Sequence, residues 1–390
     1  MNLSLSRCYS TEADPAPADF IDRFESVGTE LQAHRPQGAV QSSSYLSLVL
    51  SVGLSRPAAL FVVEGPDGAL ARAGAFQGSV RTRSGVIGLY ETAPDPEGRH
   101  AAQLLMEAAM EWAVAHDLEE LFAPVDVNTW FKYRVMLHPE EGASGPDPFS
   151  WEPTAPLEHQ RHFLDQGFEV AASFETVGLH IPDTGEYTFG DLLTRTQSGY
   201  DTAVASGLRI DRLTSENVQA VLPELHALCA DAFADNLLFE PIPLQAFHAL
   251  YGNALATMPG HFTFLARNQE GRLVGFLFTF PDRGWLVMKT IAVAPDLRGK
   301  RLGTALTHAV YREAGQAGFR RFITALVRED NVSRLMLDPQ KMPGVETWTR
   351  RYELLRRRIP SRASQSSEDL PNPYRPCLSH ITSLQRSRAA

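Results

Sequence analysis

Residues 287–311 read VMKTIAVAPDLRGKRLGTALTHAVY, and the way this stretch divides decides the fold. Residues 285–293 form a nearly continuous apolar run of strand length, ended by Pro295, which has no N–H to give a sheet ladder. From Leu302 onward the apolar residues Leu302, Leu306, Ala309 and Val310 fall on one face of an amphipathic helix. Between strand and helix lies Arg298-Gly299-Lys300-Arg301-Leu302-Gly303. Glycines there let backbone N–H groups converge, and the helix N-terminus adds partial positive charge, so a pyrophosphate fits the turn. The plain alternative is a strand-turn-helix with a basic first turn, but basic residues at a helix N-terminus oppose the helix dipole.

Working outward, residues 208–213 read as a strand, and Ser215 as the N-cap of a helix whose apolar face is Val218, Val221, Leu222 and Leu225. A helical stretch over 244–250 follows, then strands over 262–266 and 273–280 about the turn Asn268-Gln269-Glu270-Gly271, and a strand over 322–327 after the glycine-marked helix. The first half repeats this pattern. It has a helix over 17–31, a mostly apolar segment over 44–54, and a hairpin of 60–64 with 70–76 about Gly65-Pro66-Asp67-Gly68. A strand over 86–91, a helix over 97–115 and a strand over 121–125 complete the repeat. Residues 1–186 are thus expected as one domain, 187–207 as a linker, 208–360 as a second domain, and 361–390, without periodic apolar residues, as a disordered tail.

At the opening stretch the chain resembles the GNAT acyltransferase superfamily, whose signature is a strand, a V-x-P-x-x-R-G-x-x-x-G turn and a helix that binds the pyrophosphate of acetyl-CoA. Val293, Pro295, Arg298, Gly299 and Gly303 match that spacing. A further glycine of the family is replaced by Arg301, which can donate its backbone N–H but reaches φ > 0 only at a cost. The resemblance implies an α/β (α+β) fold of two GNAT-like domains in tandem, each a mixed, mostly antiparallel sheet flanked by helices. Only the second would bind acyl-CoA. At the matching place the first half has Thr92-Ala93-Pro94-Asp95-Pro96-Glu97-Gly98, where two carboxylates would repel a pyrophosphate, so it reads as a degenerate copy.

The same resemblance implies that acetyl-CoA or a similar acyl-CoA is a co-substrate, with its pantetheine arm along Ile291, Ala292 and Val293. Its pyrophosphate would lie against Arg298, Gly299, Lys300, Arg301, Leu302, Gly303 and Thr304. Asn331 matches an asparagine the family sets against the pantetheine arm; Asp330 also fits the spacing, and Asn331 equally suits a cap for the helix after it. Two family features have no counterpart. The strand before the turn contains no glutamate base, and the position of the family's general-acid tyrosine is Met336 or Leu337. Candidates for chemistry are therefore Asp235 and Glu240, where the acceptor loop falls, and Tyr352 on a closing strand; each is also an ordinary surface or core residue type.

The activity implied is transfer of an acyl group to an amine of a small molecule or peptide by direct attack, without a covalent enzyme intermediate. The rival from another class is a non-catalytic acyl-CoA-binding module. A third reading keeps the enzyme and changes the acceptor to a hydroxyl, a carrier-protein thiol or a tRNA-linked group.

Composition narrows these readings. A net charge of −10 over 390 residues does not suit a general nucleic-acid binder. The arginines 350, 351, 356, 357 and 358 are expected as the solvated face of the last strand, alternating with Trp348, Tyr352, Leu354 and Leu355. Three distant cysteines offer neither a disulfide framework nor a metal site and suit a reducing cytoplasm. No apolar run is long enough for a signal peptide or a membrane span. No H-E-x-x-H, G-x-S-x-G or P-loop pattern occurs.

Overall fold

The computed structural model describes residues 3–33, 42–137, 145–252, 254–255, 262–331, 333–334, 338–360 and 382–383. The chain forms two compact units that interleave along the sequence. One is assembled from Met1–Leu137, Pro153–Ala172 and Glu353–Ala390, the other from His138–Glu152 and Ser173–Tyr352. The sequence suggested contiguous domains; the chain instead passes from one unit to the other inside two of its strands.

In the first unit β1 (Ser4–Ser10) precedes helices α1 (Ala18–Gln32) and α2 (Ser43–Gly53). The strands β2 (Ala58–Gly65), β3 (Gly68–Gln77) and β4 (Ser84–Thr92) then pair antiparallel in order, and β1 pairs antiparallel with β2. Helix α3 (Pro96–Ala115) crosses over to β5 (Glu120–Ala123), which runs parallel to β4. The short β6 (Val135–Leu137) and α4 (Leu157–Asp165) follow. Helix α3 forms because Pro96 presets its first turn and an apolar stripe of Ala101, Leu105, Ala108, Ala109 and Trp112 recurs at helical spacing. That stripe is buried with Phe61, Ala73, Ile87 and Phe163, and each large side chain so buried contributes about 1.5–3 kcal/mol.

The second unit repeats the order. Strand β7 (Glu169–His180) enters it at Ser173 and is followed by α5 (Phe189–Ala205), β8 (Arg209–Arg212), α6 (Val218–Phe233) and α7 (Leu244–Phe247), which runs into a π turn over His248–Gly252. The antiparallel run β9 (Phe264–Arg267), β10 (Leu273–Asp282) and β11 (Trp285–Val293) leads through the glycine-marked turn into α8 (Leu302–Gln316) and then β12 (Arg321–Arg328), parallel to β11. Strand β12 pairs antiparallel with β7, and β8 pairs antiparallel with β9. The last long strand, β13 (Glu346–Arg358), gives its residues 346–352 to this unit and 353–358 to the first, where Leu355 to Arg358 pair antiparallel with β5.

Several expectations change. Residues 187–207, expected as a linker, carry α5, whose N-terminus is closed by a reciprocal capping box between Thr188 and Asp191. Its buried face of Phe189, Leu192, Thr196, Gly199 and Ala203 packs on α8, with Thr196 Oγ1 and His308 Nδ1 2.9 Å apart. The N-cap of α6 is Asn217 rather than Ser215, because Asn217 Oδ1 accepts from Thr214 N (3.0 Å) and completes a turn first. Of the tail, only Thr382–Ser383 are described, and they form β14, pairing with β1 at Ser4 and Leu5; the rest of 361–390 lies outside the described residues. Arg350, expected on a solvated face, is 8% exposed and bonds Glu152 Oε2 at 2.6 Å, because strand alternation puts it on the inner face with Trp348 and Tyr352.

Candidate functional site

The second unit contains a fork between two parallel strands. The β11–β12 pairing runs only through Leu286↔Phe322, Val287↔Ile323 and Met288↔Thr324. Beyond that point β11 stays on β10 as far as Val293↔Gly275, and β12 stays on β7 as far as Arg328↔Phe174. Both strands thus remain anchored on their outer sides while they part on the inside. A register shift opposite Phe278 and Thr279 leaves Lys289 as the extra residue of a β-bulge at this level, and a bulge sharpens local twist. Burial follows the geometry: Leu286, Val287 and Met288 are buried, whereas Lys289, Thr290 and Ile291 are half-buried.

The strand ends in the turn that the sequence singled out. Pro295–Leu297 form one 3₁₀ turn, and Gly299 then takes φ +77°, with no atom within 4 Å of where a Cβ would stand. Arg301 also adopts the left-handed region, at φ 61° and ψ 11°, so the family glycine it replaces marks a real conformational demand. A non-glycine residue meets that demand at a cost of about 1–2 kcal/mol. Its side chain swings onto α5, where Nη1 lies 3.3 Å from Ser198 Oγ.

Arg301 is the N-cap of α8 and makes no side-chain capping bond. The helical ladder begins with Ala305 N donating to Arg301 O (3.0 Å), so the N–H groups of Leu302, Gly303 and Thr304 precede it. An anion is the partner that such a helix end favours. Gly303 keeps this surface open: a Cβ there would meet only Ile291 Cδ1, at 3.4 Å, so no neighbour within the chain demands glycine.

Charged side chains brace the turn. Arg298 Nη2 donates to Ala232 O near the end of α6 (2.7 Å), and Arg298 Nη1 lies 3.5 Å from Asp235 Oδ2. Arg272 Nη2 reaches Asp296 Oδ2 at 2.7 Å. Beside the turn a cavity of ≈ 660 Å³ is lined by residues that include Leu208, Gln269, Arg272, Lys300 and Arg301.

The residues nominated for chemistry fall in separate places. Asp235 is exposed and sits by the turn with Arg298. Glu240 is buried, at 6% exposure. Tyr352 is fully buried and donates its hydroxyl to Glu152, and burial beside that carboxylate pushes its pKa far up, which suits structure better than proton transfer. Asn331 Oδ1 accepts from Ser333 N (2.9 Å) and Ser333 Oγ (2.7 Å), a local cap. Met336 and Leu337 lie outside the described residues. Among the described residues no group of His, Cys, Asp or Glu is arranged to hold a metal ion, and no helix is long and apolar enough to cross a membrane.

The first unit carries the same fork in a closed form. Its β4–β5 pairing ends at Val86↔Phe122, but the chain then doubles back into the gap. Val125 N donates to Ile87 O (2.8 Å), and Asp126 Oδ1 accepts from Leu89 N (2.6 Å). Asp126 Oδ2 also accepts from Tyr45 Oη (2.9 Å). Gly88 is required by this approach, since a Cβ there would stand 2.1 Å from Val125 O. Strand β4 is accordingly buried at every position. At the start of α3, Asp95 Oδ1 accepts from Gly98 N (2.7 Å), so the helix end is capped by its own carboxylate. Asp95 was legible in the sequence; Asp126 was not, because nothing local marks it as a partner for a strand residue 37 positions earlier.

These features agree with the comparisons. Residues 225–335 match the family model for the acetyltransferase (GNAT) family. No curated protein matches the sequence. Among solved structures, a conserved protein from Enterococcus faecalis V583, a probable N-acyltransferase, superimposes with a TM-score of 0.53 at 9% identity, covering 91% of this chain and 73% of that one. A tandem GNAT protein from the clavulanic acid biosynthesis pathway aligns with a TM-score of 0.48 at 13% identity, over 91% of this chain and 99% of that one. The glucosamine N-acetyltransferase region of a fungal multi-domain GH3 β-N-acetylglucosaminidase aligns with a TM-score of 0.47 at 14% identity, over 90% of this chain but only 38% of that one. At such identities the likeness is one of fold. The family match thus covers the stretch that holds the forked strands, the glycine-marked turn and α8.

Proposed function

We propose that the second unit is an acyl-CoA-dependent N-acyltransferase that uses acetyl-CoA or a close relative and transfers the acyl group to an amine of a small molecule or peptide. The observation that carries this reading is the uncapped N-terminus of α8, set at the end of the forked strand β11. The residues fit the co-substrate. The N–H groups of Leu302, Gly303 and Thr304, with Gly299, Lys300 and Arg301 beside them, would hold the pyrophosphate, and Ile291, Ala292 and Val293 offer a strand edge for the pantetheine arm. Bound there, the co-substrate supplies an activated acyl carbonyl. The protein's part is to orient it, to present a backbone N–H to charge developing on its oxygen, and to exclude water. We assign this role to the domain over 208–360, with the first half as a degenerate copy, and place the protein in the cytoplasm.

A second reading has an observation of its own. Tyr352 is bonded to Glu152, Asp235 is held at the turn, and the strand before the turn carries no carboxylate, which favours a non-catalytic acyl-CoA-binding module. Calorimetric titration of the full chain with acetyl-CoA tests what the two readings share, and the expected stoichiometry is one per chain. Absence of binding rules out both, and a stoichiometry of two removes the assignment of the first half. Thiol release from acetyl-CoA across a panel of amines, alcohols and carrier-protein thiols then separates enzyme from module.

A further inference from the structure

The fork of the second unit holds a buried polar atom that has no hydrogen-bond partner among the described residues. Thr324 lies on β12 opposite Met288, in the last pair before the two strands part. It is 7% exposed, and its Oγ1 is buried without a hydrogen-bond partner among the described residues, as are the hydroxyls of Tyr187 and Tyr311. Native proteins leave few buried hydroxyls so, because a hydroxyl removed from water and left unpaired is destabilising. The closed fork makes the contrast plain. Its last parallel pair is Val86↔Phe122, and Phe122, at 2% exposure, puts an apolar ring where the open fork has a hydroxyl.

The side chain is also on the side that matters. Residues two apart along a strand share a face. Phe322 packs its ring edge-on against Tyr311 of α8, with centroids 5.1 Å apart, so Thr324 shares the face that α8 covers. That is the helix whose uncapped end opens the anion site. A polar molecule passing from that helix end into the fork would meet Thr324 at the apex.

We propose that Thr324 is a substrate-binding residue, with Oγ1 hydrogen-bonding a polar group of the pantetheine arm or its thioester where the arm enters the fork; this rests on the acyl-CoA reading above. The bond would be made only in the complex, which accounts for an unpaired hydroxyl in the free chain.

Thr324→Val replaces the hydroxyl by a methyl of nearly the same size, and Thr324→Ser keeps the hydroxyl. Titration of the full chain should show acetyl-CoA affinity about tenfold weaker in Thr324→Val and within about twofold of wild type in Thr324→Ser. The thermal midpoint of free Thr324→Val should equal or exceed that of wild type, because an unpaired buried hydroxyl is gone. Adenosine 3′,5′-bisphosphate, which has phosphates and no pantetheine arm, should bind wild type and Thr324→Val alike. Equal acetyl-CoA affinity of wild type and Thr324→Val overturns the inference and leaves the hydroxyl a bystander. So does an equal loss of affinity for acetyl-CoA and the bisphosphate, or a lowered thermal midpoint that Thr324→Ser restores. Failure of wild type itself to bind acetyl-CoA would instead overturn the proposed function.

Discussion

Helices α3 and α8 begin at corresponding points of the two units, each after three antiparallel strands and before a parallel one. The first is capped by Asp95, and the fork beside it is filled by Val125 and Asp126. The second has Arg301 in a left-handed conformation at its N-cap, no capping side chain, and a fork whose apex hydroxyl is unpaired. At that helix start and fork the first unit pairs its polar groups within the chain. At its helix start and fork the second, among the described residues, leaves the N–H groups of Leu302, Gly303 and Thr304 and the buried Thr324 hydroxyl without a partner in the chain, and the unpaired hydroxyl and the left-handed Arg301 each cost stability. The open helix end, the left-handed Arg301 and the unpaired Thr324 hydroxyl are the features on which the proposed binding site rests.

That comparison can be broken most sharply at Gly303. Glutamate there meets little steric resistance, since only Ile291 Cδ1 comes as near as 3.4 Å to a Cβ, and a carboxylate in the first helical turn suits the dipole. Gly303→Glu should therefore leave the thermal midpoint unchanged or higher. Acetyl-CoA affinity should fall more than about 100-fold, as a fixed negative charge enters the proposed anion nest. Binding that survives this change would make the open helix end irrelevant. At the other helix, Asp95→Ala should lower stability to denaturant by about 1 kcal/mol through loss of the cap while leaving acetyl-CoA affinity untouched. A loss of affinity there would mean that the first helix end takes part in binding.

Arg301→Gly sharpens the contrast from the opposite side. Relief of the left-handed arginine should raise stability by up to about 1 kcal/mol, and acetyl-CoA should still bind because the backbone N–H groups remain. The smallest effect concerns the plug. Burial raises the Asp126 pKa above its ordinary value, against the opposing effect of the Leu89 N–H and Tyr45 hydroxyl bonds. A carboxyl whose folded pKa exceeds its unfolded one contributes stability below the unfolded pKa and loses it as pH rises through the folded one. The stability of Asp126→Asn relative to wild type, followed by denaturant titration from acid to neutral pH, should accordingly grow with pH. A difference that shrinks as pH rises would show the plug to be an ion that the fold favours.

Much of this was legible in the chain's own order of residues. The strand from Trp285 to Val293 was bounded correctly because an apolar run and a proline are local signals, and the turn after it because glycines and basic residues at fixed offsets are local too. The capping carboxylate of α3 followed for the same reason. Helix α5 is announced by Thr188-x-x-Asp191 and by the spacing of Phe189, Leu192, Thr196, Gly199 and Ala203, but the polar composition of the segment masks both signals. Other features had no local signal to find. Periodicity places Arg350 and Tyr352 on one strand face, but only packing shows that Glu152, about 200 residues earlier, makes that face a buried polar cluster.

Local patterns in the chain carry the doubled element order, the glycine-marked turn of the second copy and the acidic helix start of the first, because each signal lies within a few residues of the element it marks. Folding alone brings Asp126 into one fork and leaves the Thr324 hydroxyl at the end of the other without a partner among the described residues. Whether a buried hydroxyl or N–H has a partner depends on which segments fold against it, and those lie tens of residues away, beyond the reach of any periodic pattern.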